Sequence, residues 1–461
     1  MKKQTTLACS LLLITSFLCG RVHAQDELPV SDPEGDIDVV ADPATAPTEN
    51  KSEPIPFDEI RTFAEVFAKV KNDYVETVND QQLIENAIRG LLEGLDPHSA
   101  YLDKEAFLSL QEGTSGEFGG LGIEVSMENG FVKVIAPIDD SPAQKAGIQA
   151  GDLIIRLDDT PVKGMALNDA VEKMRGAPGT DITITIAREG DDKPITLTIT
   201  RDIITRKSAS TRTLEPGFGY LRISNFQINT ANDAQKALET LIQENKGGLK
   251  GLILDLRNNP GGILNGAVAI SDLFLEDGLI VYTEGRISDA KLSYSAKPVD
   301  LIDNAPLIVL VNEGSASASE IVAGALQDHK RALIMGQKTF GKGSVQTILP
   351  MMNESALKLT TARYYTPSGR SIQASGISPD IVIDQVKIEM LEKNAMAVTE
   401  ANLSGHLSNG EPVVEPAPAA IEPQPAKAPI PVKESLSQTD YALYEALNVL
   451  KGLAFVRKGT D

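Results

Sequence analysis

Two continuous apolar runs constrain this chain more than any other feature. One lies in "GLILDLR", Gly251–Arg257, and the other in "PLIVLV", Pro306–Val311. Neither alternates polar with apolar residues, so neither suits a strand with one wet face. Runs of this length belong to strands buried on both faces, as in a parallel sheet covered by helices. Helical segments stand where such a sheet needs them. "ANDAQKALETLIQEN" precedes the first run, and "SEIVAGALQDH" follows the second. Residues 205–384 are therefore expected to form an α/β core.

Residues 114–204 change character. "FGGLGIEVSMENGFVKVIAPI" reads as strand, turn, strand, with "ENG" as the hairpin signal. "SPAQKAGIQAGDLIIRLDD" adds a short helix, a glycine-closed turn and a strand. "ALNDAVEKMRGAPG" is a helix with a glycine stop, and "DITITIARE" and "PITLTIT" alternate as strands. This order resembles a PDZ domain, on the strength of "GLGI" at Gly120–Ile123, "AGIQAGDLII" and the later helix. Ahead of it, residues 57–113 read as a helical region. Phe63, Val66, Phe67 and Val70 fall at i, i+3, i+4, i+7, and a second amphipathic segment runs from Asp80 to Leu95 before "LDPHSAYL" breaks the pattern.

The ends carry other signals. Lys2 and Lys3, a short apolar run and "VHA" ending at Ala24 read as a cleaved export signal over residues 1–24. The expected location is the periplasm. Cys9 and Cys19 both lie inside this segment, so the rest of the chain has no thiol for a disulfide, a nucleophile or a metal. No later segment offers about 18 consecutive apolar residues. Residues 25–56 read as an acidic disordered tether, 385–410 as a helical extension, and 411–435 as a proline-rich linker. Residues 436–461 read as a last helix, with Leu443, Leu447, Leu450 and Leu453 on one side. Such a stripe needs cover, either from its own core or from a second subunit. The net charge of −21 and the absence of a basic stripe argue against a nucleic-acid partner.

Chemistry concentrates in "NEGSASASEI", Asn312–Ile321, between the second apolar run and its helix. Ser317 and Glu320 match a capping box, which any strand–helix junction can carry. The same geometry suits a nucleophile, because free backbone N–H groups at a helix start, Ala318 N–H among them, can hold an oxyanion. A nucleophile also needs a base. Histidine is scarce: His98 lies in the turn-like "DPHS", His329 at the far end of the helix and His406 near the linker. None sits at a strand end in the core, which speaks against a Ser–His–Asp triad. Lys342, in "TFGKGSVQT", is the alternative: a desolvated amine has a depressed pKa and can act as a base. Gln346 follows four residues on, a span of ~13 Å in an extended strand, so spacing alone does not join the two.

"GSASASEI" followed by "FGKGSVQ" resembles the carboxyl-terminal processing, or tail-specific, proteases. "TSGEFGGLGIEV", "LDLRNNPGG", "TARYYTPSGRSIQ" and "GISPDIVI" extend the resemblance over nearly all of the chain after the signal, closest to the proteobacterial CtpA-type branch. It implies a multidomain α+β protein: an N-terminal helical region, a PDZ domain, an α/β serine protease core of the ClpP/crotonase-like kind, and C-terminal helices. It makes Ser317 the nucleophile, Lys342 the general base and Gln346 the residue that orients the lysine. The oxyanion donors would be Ala318 N–H and a glycine of "NNPGG", Gly262 with Gly261 beside it. It implies no cofactor and no metal. Substrates would be proteins or peptides with unstructured C-termini, captured at Gly120, Leu121, Gly122 and Ile123 by strand addition and carboxylate binding. Homo-oligomers formed through terminal helices are implied, and a helical-repeat lipoprotein adaptor is known for some members. The alternatives are a PDZ scaffold or holdase with an inert core, and a Ser–Lys hydrolase acting on small substrates or cell wall.

Overall fold

A computed structural model describes residues 55–246, 248–384, 386, 407 and 435–457. The export signal, nearly all of the acidic tether, most of the 385–410 extension and almost the whole proline-rich linker lie outside the described residues. The chain divides into two units, Met1–Val75 and Glu76–Asp461. In the first, the helix Phe57–Asp73 carries the expected stripe, and none of its residues is buried within that helix.

In the second unit the two apolar runs become the strands Gly251–Asp255 and Leu307–Val311, every residue of both buried. They pair in parallel with each other, with Phe218–Ile223 on one side and with Ala332–Gly336 on the other. Ala209–Glu215 closes one edge antiparallel, and Ile381–Val382 closes the other in parallel. Period-2 alternation then sends successive side chains to opposite faces. Leu252, Leu254, Leu307, Val309 and Val311 meet the helices Thr230–Glu244, Leu264–Asp272 and Ala318–Asp328. Ile253, Ile308 and Leu310 meet the last helix, Tyr441–Arg457.

That last helix therefore docks on its own core. Leu443, Ala446, Leu447, Leu450 and Ala454 form its buried stripe. Burial of each leucine contributes roughly 1.5–3 kcal/mol. Leu453, expected on the same side, is turned away and 40% exposed. The contact is close: a Cβ at Gly251 would lie 2.7 Å from Leu450 Cγ. Polar contacts fix the register. Asp440 accepts two hydrogen bonds from the Arg257 guanidinium, both at 2.8 Å. Arg257 also binds Asp255, a buried carboxylate that further accepts from Arg222 and from the Tyr220 hydroxyl.

A second, antiparallel sheet is built around the long strand Ala356–Tyr365. It pairs with Ser344–Pro350, Leu279–Gly285 and Ala100–Leu102. The turn "LDPHSAYL", which ends the helix Asp80–Glu93, is thus laid on this sheet by three residues of strand. Residues 123–200 form a separate sheet, with the hairpin Ile123–Glu128 and Phe131–Pro137 turning at Asn129 and Gly130, both at positive φ. The short pair Glu117–Gly120 and Asp202–Thr205 brings the chain in and out of this sheet.

Candidate active site

Ser317 caps the helix Ala318–Asp328 with φ 52° and ψ −112°, a left-handed backbone that a non-glycine residue adopts only when its surroundings impose it. Those surroundings are specific. The Ser315 hydroxyl donates to the Leu256 carbonyl at 2.8 Å, and the Ser319 hydroxyl to the Asn259 carbonyl at 2.9 Å. Both flanking serines thus fasten the junction to the "LDLRNNPGG" loop. Ser317 lies beside Tyr364. Burial pushes the Tyr364 phenol up to about 12, with a hydrogen bond from the Ser317 side pulling the other way.

The loop stacks directly on the junction. A Cβ at Gly261 would fall 2.8 Å from Ser317 Cβ and 3.0 Å from Ala318 N, and its φ of 106° suits only glycine. The Gly261 N–H donates to Asn259 Oδ1 at 2.9 Å. Of the two glycines, Gly261 is already engaged.

Glu320 is the hub. Its side chain is fully buried and accepts four hydrogen bonds. Oε2 takes the Ser317 N–H and the Lys342 N–H, each at 2.8 Å. Oε1 takes the Gly341 N–H at 2.7 Å and the Thr339 hydroxyl at 2.6 Å. In the capping box expected from sequence, Glu320 was only a helix start. In the structure it also fastens the Thr339–Gly343 loop to the serine junction.

Lys342 leads into the strand Ser344–Pro350 and is partly buried. Its amine is held below the ordinary lysine value, by burial first and then by the charge of Lys358, against the pull of Glu320. Gln346 stands opposite Thr360 because the register shifts between Val345 and Gln346. Its Nε2 donates to Ser344 Oγ at 2.9 Å and to Thr360 Oγ1 at 3.4 Å. His98, remote in sequence, lies close enough to feel Lys342. Its imidazole is lowered by burial, then by Lys342 and Lys358, with Asp96 opposing. His329 instead bonds the Leu279 carbonyl at 2.7 Å. The structure brings the Ser317 and Lys342 backbones together on Glu320, as well as two neighbours that the sequence did not single out: Tyr364 beside Ser317, and His98 near Lys342. No spacing signal marks either, because both come from strand pairings that are remote along the chain.

A concavity of about 410 Å3 lies in the 114–204 region. Gly120, Leu121, Gly122 and Ile123 line it, with Leu167, Val171 and Met174 opposite. The Leu121 carbonyl accepts from Ala143 N–H, and the Gly122 carbonyl from Ile138 N–H and the Ser141 hydroxyl. In a trans peptide the following N–H points the other way, so the N–H groups of Gly122 and Ile123 face away from those partners. A Cβ at Gly122 would lie 2.3 Å from Ser141 Cβ, at φ 75°. Among the described residues no cluster could hold a metal ion, and no helix is long and apolar enough to cross a membrane.

Comparison with known proteins gives three family matches: peptidase family S41 over residues 217–383, a PDZ domain over 119–199, and the N-terminal domain of activating protease CtpB over 31–106. The chain is 51% identical over 354 residues to a "Carboxy-terminal-processing protease" of Bartonella bacilliformis, covering 76% of this chain and 81% of that one. It is 37% identical over 329 residues to a "Probable CtpA-like serine protease" of Staphylococcus aureus, covering 71% of this chain and 65% of that one. Among solved structures, the photosystem II D1 C-terminal processing protease is 34% identical, with a TM-score of 0.41 over 71% of this chain and 93% of that one.

Proposed function

The chain belongs to peptidase family S41, as a PDZ-bearing serine peptidase of the carboxy-terminal-processing kind, and from that membership we propose a Ser–Lys mechanism directed at protein tails. Ser317 is the nucleophile and Lys342 the general base. The neutral Lys342 amine takes the Ser317 Oγ proton as Oγ attacks the scissile carbonyl carbon. The oxyanion that forms is held by the N–H of Ala318 at the helix start and by that of Gly262. Collapse breaks the C–N bond, and the Lys342 ammonium returns its proton to the leaving amine. Water then hydrolyses the acyl-enzyme by the same proton route. Gln346 orients the lysine.

The observation that carries this reading is the shared Glu320 oxygen, which fixes the backbone of the serine residue and that of a partly desolvated lysine to one point. Engagement of the Gly261 N–H with Asn259 favours Gly262 as the second donor. In the PDZ groove, the outward N–H groups of Gly122 and Ile123 suit capture of a terminal carboxylate, and Leu121 and Ile123 suit an apolar last side chain. The substrates are proteins with accessible, unstructured C-termini. The enzyme is exported through its signal segment to the periplasm and works as a homo-oligomer, with a helical-repeat lipoprotein as a candidate adaptor.

The test is incubation of the full chain, lacking its export signal, with a protein bearing an unstructured apolar C-terminus. Cleavage is expected from the wild type and not from Ser317→Ala. Equal behaviour of the two would leave an inert PDZ scaffold as the reading.

A further inference from the structure

A lysine acting as a base must aim its lone pair at the serine. Its two N–H bonds must then be held elsewhere, and Gln346 can hold one only with its carbonyl, not its NH2, turned to the lysine. Something must decide which way round that amide sits.

The deciding contacts run from Gln346 to Thr360 on the neighbouring strand, and from there into a turn 264 residues before Thr360 in sequence. Gln346 Nε2 donates to Thr360 Oγ1 and Ser344 Oγ. Thr360 Oγ1 donates to Asp96 Oδ1 at 3.1 Å. Asp96 also accepts the N–H groups of His98 and Ser99, at 2.8 and 2.9 Å, and the Ser99 hydroxyl at 2.7 Å. Ser99 Oγ accepts the Thr360 N–H at 3.1 Å, and the pairing Ala100↔Lys358 locks the turn to the strand.

We propose that Asp96 and Thr360 are positioning residues for the catalytic lysine, setting the direction of a hydrogen-bond relay that ends on Gln346. The relay rests on the Ser–Lys reading above. A carboxylate only accepts, so the Thr360 proton points at Asp96. The Thr360 oxygen is then an acceptor towards Gln346. With both amide hydrogens committed to Thr360 and Ser344, Oε1 is the one polar atom of Gln346 left to accept from the Lys342 amine. Burial works against the Asp96 charge, but the Ser99 hydroxyl, the His98 and Ser99 N–H groups and Thr360 together hold its carboxyl below the usual range. Asp96 is thus ionised wherever the lysine is neutral, and the direction of the relay is fixed at working pH.

The experiment measures kcat and KM on a tail-bearing protein substrate for Asp96→Asn, Thr360→Val, Thr360→Ser and Gln346→Ala, and for the first two combined with Gln346→Ala. Asp96→Asn keeps the shape of the turn but no longer imposes a direction. It and Thr360→Val should each lower kcat about tenfold with KM within about twofold, while Thr360→Ser retains kcat. On the Gln346→Ala background neither should cost more than about twofold, because the relay has lost its last member. A full tenfold loss on that background, a loss confined to KM or to thermal stability, or wild-type kcat in Gln346→Ala would each overturn the relay. Retained cleavage in Lys342→Ala is the separate result that would overturn the Ser–Lys reading itself.

Discussion

The N–H of Ser317 and the N–H of Lys342 converge on one oxygen, Oε2 of Glu320, each at 2.8 Å. The two residues lie on different elements, a helix start and the lead into a strand. A single buried carboxylate sets their spacing, so neither can shift without the other.

On the proposed Ser–Lys mechanism the two residues act as one unit, so Ser317→Ala and Lys342→Ala should each lower kcat by about 10⁴-fold, and the double variant should cost no more than either alone. Stopped assays on purified variants with matched thermal midpoints check this. Additive losses would show two independent roles.

If the free Lys342 amine is the base, as proposed, rate should rise with pH through its lowered value and vanish below it. Lys358→Gln removes a repelling charge, so the rising limb should move to higher pH. Glu320→Gln removes an attracting one, so the limb should move to lower pH. A pH profile of kcat for the three enzymes reads both directions.

Glu320→Gln should also destabilise the fold. The amide turns one of two acceptor oxygens into a donor facing N–H groups, which leaves buried donors without partners at a cost of about 2–3 kcal/mol. The urea midpoint measures it, and an unchanged midpoint would contradict the geometry.

The last helix should matter for stability first. Leu450→Ala should cost about 2–4 kcal/mol, as a buried leucine removed from a close contact. Burial raises the Asp440 carboxyl, but Arg257 outweighs this and holds it below the ordinary value. The stabilisation from Asp440 is therefore full above the unfolded carboxylate value and is lost as pH falls through the folded one. Asp440→Asn should accordingly destabilise more at neutral pH than in acid. Light scattering on a chain ending at Glu434 tests assembly: a particle mass reduced only by the missing residues means that the helix joins no subunits.

Amidating the substrate's C-terminus should raise KM about tenfold, roughly 1.4 kcal/mol, if the groove at Gly120–Ile123 holds a carboxylate. An unchanged KM would place tail recognition elsewhere.

Much of this was legible in the chain. Continuous apolar runs announced the parallel strands, and period-3.6 leucines announced an apolar face on the last helix, though not what covers it, and Leu453 falls outside the buried stripe. The serine junction and Lys342 were visible because glycines and a capping pattern mark them locally. Gln346 was not placed by spacing, since a register shift against Thr360 decides where it points. Tyr364 carries no local mark, and the turn "DPHS" marks Asp96 and His98 as a turn but not as neighbours of Lys342. Their places come from pairings with distant segments, Thr283 for Tyr364 and the strand Ala356–Tyr365 for the Asp96 turn, and pairing partners are a property of the closed sheet rather than of any window of sequence.

The position of the Tyr441–Arg457 helix has a consequence in time. A ribosome makes Ile253 and Ile308 long before it makes Leu443 and Leu450. Until the later stretch emerges, one face of the sheet is bare and greasy, and Arg257, in the same loop as Gly261 and Gly262, has no Asp440 to hold it. A chain in that condition leaves Ile253, Ile308 and Leu310 without their apolar partners. The cover for this sheet face is thus made later than the strands it protects, and the face is complete only when the two have met.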